Sequence, residues 1–191
     1  MKISGKFVLK VAGTLTIIAL VVAALLGVVD MVTRDKIDAI NVEKTNQALA
    51  AVAPEGAEFT PVELSDAAVA AAAAYGTLDS MYEMSTGGYA MKIVASGSQG
   101  SIEMIVGVDG NKALTGVSVV SHSETGGIGT KVINNDPNSA GTPVLDQFIG
   151  MSGAGSLVVG KTVTPISGAT VTTKGITAGC NAALAAVEAM G

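Results

Sequence analysis

An uninterrupted apolar stretch near the N-terminus limits how this chain can fold more than any other feature. No charged residue occurs between Val11 and Val29, and Leu, Ile, Val and Ala dominate the stretch. A helix that crosses a bilayer needs roughly 20 such residues, whereas the apolar part of a cleaved signal peptide has about 7 to 15. We therefore predict a retained transmembrane helix over residues 11–32, preceded by an N-terminal segment of residues 1–10.

The charges on either side of this stretch differ. Lys2, Lys6 and Lys10 precede it without an acidic residue, whereas charges of both signs follow it from Asp30 to Asp38. Because cytoplasmic flanks carry the excess of Lys and Arg, residues 1–10 are predicted to be cytoplasmic. The chain is then a single-pass protein of the cell membrane, the inner one in a two-membrane cell, with lipid around its helix and an extracytoplasmic C-terminal domain.

The remaining residues divide into a stalk and one domain. Residues 33–53 contain no glycine or proline, and Pro54 ends a helical pattern, so a helical stalk is predicted over residues 33–54. The length left over, residues 55–191, suits a single globular domain.

Within this domain the pattern predicts an α+β fold, with a small antiparallel sheet packed against helices. A helix is predicted over residues 65–75, with Ser65 or Asp66 as its cap and Gly76 as its stop. A last helix is predicted over residues 173–189, where apolar residues recur at helical spacing. Strands are predicted over residues 88–95, 101–108, 114–120, 156–159 and 162–166, with a hairpin turn at Asp109-Gly110.

Composition excludes several classes of function. The net charge of −5 comes without a basic stripe, which argues against a nucleic-acid partner. A single cysteine and a single histidine leave no cluster with metal-ligand spacing and no cysteine set for an iron–sulfur cluster. No Gly-x-Gly-x-x-Gly follows a strand, so NAD binding is not expected. Cys180 lies on the apolar stripe of the last helix and is predicted to be a core residue.

A short run of small residues, Ser167-Gly168-Ala169-Thr170, comes just before the last predicted helix. A turn at this place would present free backbone N–H groups and the positive end of the helix dipole, which suit a phosphate. The alternative is a simple capped helix start in which Thr170, Thr172 or Thr173 closes the first turn.

Two further motifs precede this turn. Residues 122–129 read His-Ser-Glu-Thr-Gly-Gly-Ile-Gly, and residues 146–150 read Asp-Gln-Phe-Ile-Gly. Together with the Ser167–Thr170 turn and the N-terminal apolar helix, their order resembles the family of flavin-carrying G subunits of the Rnf electron-transport complex. It resembles more distantly the C subunit of the sodium-pumping NADH:quinone oxidoreductase.

The resemblance, which covers nearly the whole chain, implies an FMN-binding domain. It implies that a separate flavin transferase esterifies Thr170 to the phosphate of FMN. The chain would be an electron-relay subunit, without catalytic residues of its own, in a complex that moves electrons between reduced ferredoxin and NAD. Its partners would be the other subunits of that complex, and the electron transfer would be coupled to export of Na⁺ or H⁺.

The resemblance also implies a set of cofactor-binding residues in the turn and in a loop before it. From the turn these are Ser167, Gly168, Ala169, Thr170, Val171 and Thr172. From the loop they are Glu124, Thr125, Ile128, Gly129 and Lys131. Residues 125–142 would fold over the flavin ring, with Ile128 as an apolar contact and Lys131 as a nearby charge. The family usually has Pro and Leu where this chain has Gly126 and Ile128, and the loss of proline predicts a looser loop.

Several alternatives stay open at this stage. Glu124 either braces its loop by accepting backbone N–H groups or approaches the cofactor, and His122 either supports the loop, lines the flavin pocket or acts as an acid or base. The whole chain could also resemble the quinone-reductase C subunit in function, or be a membrane-anchored structural or assembly protein. A free-standing flavin reductase is the remaining alternative.

Overall fold

The computed structural model describes residues 5–191, so residues 1–4 of the predicted cytoplasmic segment lie outside the described residues. The chain forms two compact units, residues 1–43 and Lys44–Gly191. The helices are α1 (Gly5–Val52), α2 (Asp66–Ala72), α3 (Gly129–Ile133) and α4 (Thr170–Met190), with a 3-10 helix at Asp146–Phe148. The strands are β1 (Phe59–Val62), β2 (Thr77–Met84), β3 (Tyr89–Ser96), β4 (Ser101–Val108) and β5 (Leu114–His122).

The first unit consists of the N-terminal part of α1. Among the described residues, α1 is the one helix that is long and apolar enough to cross a membrane by length and composition. Its apolar side chains from Val8 to Val32 are exposed, as a lipid-facing helix requires. The predicted long N-terminal helix is confirmed, whereas the limits 11–32 and 33–54 stay predictions.

The second unit is built on a five-stranded antiparallel sheet in the order β1-β2-β3-β4-β5. The predicted α+β class and the meander are confirmed, as are α2, with Ser65 accepting from the Ala68 N–H, and strands β3, β4 and β5. Strands β1 and β2 were not predicted. β1 is short and contains a proline. β2 mixes polar and apolar residues without the clear alternation that marks a strand in a sequence.

The two strands predicted over residues 156–159 and 162–166 are wrong. Here the backbone bonds to itself, because the N–H groups of Thr162 and Val163 both donate to the Val158 carbonyl. Gly160 has a φ of 84°, which allows the tight reversal. One isolated bridge between Val159 and Val163 is all that is left of the expected strand pairing in this segment.

Helix α4 covers one face of the sheet and forms the larger core. Its buried residues include Ile176, Cys180 and Leu184, which pack with strand residues such as Met91 and Met104. Cys180 is fully buried, as predicted, and burial raises the pKa of its thiol. The thiol is therefore an apolar packing group and not a nucleophile.

The last turns of α1 cover the opposite face of the sheet and form a second core. Ala48, Leu49 and Val52 are buried there against strand residues that include Ile105 and Val120. The end of the helix fits a notch at the paired glycines of β4 and β5, since a Cβ on Gly107 would lie 2.6 Å from the Val52 carbonyl oxygen. The Thr115 hydroxyl donates to that same oxygen at 2.5 Å.

This packing predicts where a soluble form of the domain must begin. A chain starting at residue 44 keeps the second core, whereas one starting at residue 55 lacks Leu49 and Val52. Because burying one such side chain contributes about 1.5–3 kcal/mol, the shorter chain is expected to lose roughly 3–6 kcal/mol of unfolding free energy. Urea unfolding of the two truncated chains measures the difference. Equal unfolding midpoints would contradict a structural role for the end of α1.

Candidate functional site

The Ser167–Thr170 run forms a tight turn that leads directly into α4. The Ala169 N–H donates to the Ile166 carbonyl at 3.0 Å, and Gly168, at the third position, has a φ of 83°. A turn of type II requires this positive φ and favours glycine there. Helix α4 begins at Thr170, three residues before the predicted start at residue 173, because the turn already sets up the helical backbone.

The threonines in the first turns of α4 differ in what their hydroxyls do. Thr172 is buried and donates to the Glu124 carboxylate, and Thr173 is buried and donates to the Ala169 carbonyl at 3.0 Å. Thr170 is exposed, and the described residues give its hydroxyl no hydrogen-bond partner. Thr170 therefore presents the one uncommitted hydroxyl of these three side chains.

The structure contradicts the alternative that threonine side chains cap this helix. The N-cap residue is Ala169, and no side chain accepts a capping hydrogen bond from the first turn. Within the described part of the chain, the N–H groups of Thr170, Val171 and Thr172 have no acceptor. Free N–H groups at the positive end of a 21-residue helix are well suited to bind an anion.

Glu124 links three parts of the chain beside this helix end. One carboxylate oxygen accepts from the backbone N–H groups of Ser98 at 2.7 Å and Gln99 at 3.1 Å. The other accepts from the Thr172 hydroxyl. Burial raises the pKa of Glu124, but these hydrogen bonds to the charged form outweigh it and hold that pKa below its usual range. Glu124 is thus an ionised brace, which agrees with the first of the two alternatives for this residue.

Two glycines make room for this brace. A Cβ on Gly129 would lie 2.5 Å from a Glu124 carboxylate oxygen and 2.9 Å from the Thr172 hydroxyl oxygen. A Cβ on Gly97 would lie 2.3 Å from the other carboxylate oxygen. Larger residues at either position would displace the carboxylate, so the glycines are required by close packing.

The loop after Glu124 lies against the turn before Thr170. The Thr125 carbonyl accepts from the Ile128 N–H at 3.3 Å and from the Thr130 N–H at 3.2 Å, while the predicted looseness of the loop stays a prediction. A Cβ on Gly168 would lie 3.9 Å from the Ile128 side chain. Ile128 is 50% exposed and Val171 is 54% exposed, so both offer apolar surface next to Thr170.

The remaining predicted residues are Thr125, Lys131 and His122. Thr125 and Lys131 are exposed, and Lys131 belongs to the short helix α3. His122 ends β5, as predicted, and its Nδ1 accepts from the Glu124 N–H at 3.2 Å, so it supports the loop locally. Its other predicted roles stay untested.

Sequence reasoning missed the β3–β4 turn as part of this site. Residues 97–100 read Gly-Ser-Gln-Gly and contribute the N–H groups that bind Glu124. A glycine-rich turn between two predicted strands was visible in the sequence. Its contact with Glu124, which lies 26 residues after Ser98, was not.

The brace gives a pH-dependent prediction. Replacing Glu124 with Gln is expected to lower the unfolding free energy by about 1.5–3 kcal/mol at neutral pH, because charge-assisted hydrogen bonds are lost. The folded pKa of Glu124 is below its unfolded value, so its contribution is complete above the unfolded pKa and is lost as the pH falls through the folded pKa. The difference between wild type and Glu124→Gln should therefore shrink on acidification, which urea unfolding at stepwise lower pH measures.

The matched control for this prediction is Glu83→Gln, which changes an exposed glutamate on β2. It should leave the unfolding free energy nearly unchanged at neutral pH. A difference between wild type and Glu124→Gln that stays constant down to strongly acidic pH would contradict the charged brace.

Comparison with known proteins matches two parts of this chain to family models. Residues 97–185 match the family model of the FMN-binding domain, and residues 1–52 match that of the RnfG N-terminal region. The first match spans the β3–β4 turn, Glu124, the loop and most of α4, so the residues assembled here lie within it.

Two curated relatives extend over nearly the whole chain. The G subunit of the Na⁺-translocating ferredoxin:NAD⁺ oxidoreductase complex of Acetobacterium woodii is 29% identical over 94% of this chain and 91% of its own length. The G subunit of the ion-translocating oxidoreductase complex of Methanosarcina acetivorans is 28% identical over 97% of both chains. With both family models matched in the same order, the chain is similar over nearly its whole length to Rnf-type G subunits, and its C-terminal part is similar to FMN-binding domains.

Proposed function

We propose that this chain is the flavin-carrying electron-transport subunit of an Rnf-type, ion-translocating oxidoreductase complex, and that its FMN is esterified through the phosphate to Thr170. The matched FMN-binding domain supports the cofactor, and the names of the two relatives support the complex. The ester and the residues that hold the cofactor are our own assignment.

One observation supports the choice of Thr170 above all others. It has the exposed and uncommitted hydroxyl at the start of α4, while the hydroxyls of Thr172 and Thr173 are buried and already donate hydrogen bonds. A transferase acting on the folded protein reaches an exposed hydroxyl and not a buried, bonded one.

The residues around Thr170 fit the chemistry of FMN. The free N–H groups of the first turn of α4 suit the phosphate, since backbone donors and the helix dipole both favour negative charge. The exposed side chains of Ile128 and Val171 supply apolar contacts for the ring, and Ser167, Gly168 and Ala169 let the backbone approach closely. When bound, FMN supplies the electron-transfer chemistry.

The chain's own groups attach and orient the cofactor. Ester formation joins the Thr170 oxygen to phosphorus and releases the hydroxyl proton, while phosphorus loses its bond to the leaving group of the transferase's flavin donor. Glu124 holds the loop of Thr125, Ile128 and Gly129 against α4 through Thr172, so the contacts beside Thr170 keep their positions. Lys131, on α3, adds positive charge on the same loop.

The membrane helix places this domain among its partners. We propose that residues 11–32 span the cell membrane with the N-terminus in the cytoplasm, that residues 33–54 form a stalk, and that residues 55–191 carry the flavin outside. Lipid and the multi-span subunits of the complex surround α1, and those subunits provide the path for Na⁺ or H⁺. The FMN on this chain would relay electrons between cofactors on neighbouring subunits.

The function is tested on the full chain produced with and without a flavin transferase. After denaturation and gel electrophoresis, the chain produced with transferase is expected to fluoresce and to have gained the mass of FMN less one water. The chain produced alone is the control and should do neither. Absence of flavin in both preparations would overturn the proposal and favour a structural or assembly subunit.

A further inference from the structure

The 3-10 helix Asp146–Phe148 contains a glutamine with an unusual pair of hydrogen bonds. The Gln147 side-chain amide donates to the Thr164 carbonyl at 3.0 Å, and its oxygen accepts from the Thr164 N–H at 2.9 Å. The side chain thus bonds both backbone groups of one residue, as a neighbouring strand would. Asn138, which is buried, adds a longer contact from its amide to the same carbonyl at 3.5 Å.

Gln147 is itself held firmly against the sheet. The adjacent Phe148 is fully buried in the larger core. Asp146 accepts from the Asn135 side chain at 2.8 Å, and two residues beyond Phe148 the Gly150 N–H donates to the Leu114 carbonyl on β5 at 2.7 Å. Because Gln147 is fixed relative to β5, its side chain in turn fixes the position of Thr164.

The chain between Thr164 and Thr170 is short and stiff. Pro165 follows the bonded residue, Ile166 is buried, and the turn at Gly168 leads through the buried Ala169 into α4. Proline fixes one backbone angle and each buried side chain fixes another point. A displacement of Thr164 therefore moves the turn that precedes the acceptor hydroxyl.

We propose that Gln147 is a positioning residue that holds the Thr164–Ala169 segment in the conformation in which Thr170 accepts the flavin phosphate. This inference rests on the proposed function and adds a residue to it. Gln147 does not touch the acceptor and acts only through Thr164. The two hydrogen bonds from Gln147 give the Thr164 backbone the partners that it would otherwise lack, because its segment lies outside the sheet.

The experiment follows flavin transfer to the purified full-length chain in detergent, using a flavin transferase and its flavin nucleotide donor. The variant Gln147→Met keeps the length of the side chain and removes both hydrogen bonds to Thr164, together with a local one from the amide to the Val144 carbonyl at 3.1 Å. Its rate of covalent labelling is expected to be about tenfold lower than that of wild type, since two hydrogen bonds of ordinary strength no longer favour the ordered segment. Glu83→Met, which changes an exposed side chain of the same length on β2, is the matched control and should label like wild type.

Two additional measurements separate positioning from loss of folding. Circular dichroism at the labelling temperature should give the same folded fraction for Gln147→Met and wild type. Gln147→Glu should label slowly at neutral pH, where an ionised carboxylate cannot donate to the Thr164 carbonyl. Its rate relative to wild type at the same pH should rise on acidification, because a protonated carboxyl again offers one donor and one acceptor.

The outcomes separate the two proposals. If wild type is labelled and Gln147→Met labels at the same rate, or loses labelling only in proportion to its folded fraction, the positioning role is overturned. A relative rate of Gln147→Glu that does not change with pH would also overturn it. If wild type itself takes no flavin, the proposed function fails first.

Discussion

Replacing Thr170 with alanine is expected to remove all covalently bound flavin while leaving the fold intact. The substitution deletes the one exposed, uncommitted hydroxyl at the start of α4. Alanine is the best helix former, and the Thr170 side chain is exposed, so the free energy of unfolding should change by less than about 0.5 kcal/mol. Fluorescence of the denatured chain after co-expression with a flavin transferase measures the first effect, and thermal unfolding measures the second.

Three companion variants make this result specific. Thr170→Ser keeps a hydroxyl and should retain covalent flavin. Thr60→Ala removes an exposed threonine on β1 and should label like wild type. Thr172→Ala removes the hydrogen bond to Glu124, so it should lower stability but still leave flavin on the chain. Full labelling of Thr170→Ala would show that another hydroxyl is the acceptor.

Replacing Gly175 with alanine is expected to destabilise the domain strongly, although alanine favours a helix. Helix propensity alone would stabilise the variant by about 1 kcal/mol. A Cβ at Gly175, however, would lie 2.5 Å from the Ser96 carbonyl oxygen and 3.3 Å from Gly97 Cα. Because backbone atoms cannot rotate away, overpacking should dominate and give a net loss of about 1–3 kcal/mol.

Gly126→Ala is the matched control for Gly175→Ala. Gly126 has open space at its Cβ position and does not have a positive φ, so alanine should be tolerated there. Urea unfolding of the two variants compares a methyl group that meets backbone atoms with one that meets open space, and the helix propensity of alanine favours Gly175→Ala in this comparison. Equal stability of both would contradict the close contact between α4 and the end of β3. Because Gly97 belongs to the turn that binds Glu124, the clash in Gly175→Ala should also displace that turn.

The elements predicted correctly are those with a strong local signal. The apolar run in α1, the alanine-rich α2 with its serine cap, and the glycine-bounded strands β3 and β4 all follow from residues close together in the sequence. The segment of residues 156–166 has the same β-branched composition as a strand. It failed as a prediction because Gly160 turns it back on itself before it reaches a neighbouring strand.

The candidate site was only partly accessible from sequence. The resemblance pointed to Thr170 and Glu124, but not to the hydrogen bond by which Thr172 reaches Glu124, 48 residues away along the chain. The pairing of Gln147 with Thr164 is likewise a tertiary contact with no local pattern. Such contacts depend on where the sheet places its loops, so neither periodicity nor composition reports them.

The most direct test of the account locates the flavin on the chain. Trypsin cleaves after Lys161 and Lys174, so the acceptor lies in the peptide of residues 162–174, which holds five threonines and one serine. Fragmentation mass spectrometry of this peptide from co-expressed wild type is expected to place the flavin phosphate on Thr170. Placement on Thr172, Thr173 or any other residue, or an unmodified peptide, would contradict the assignment of Thr170 as the flavin acceptor.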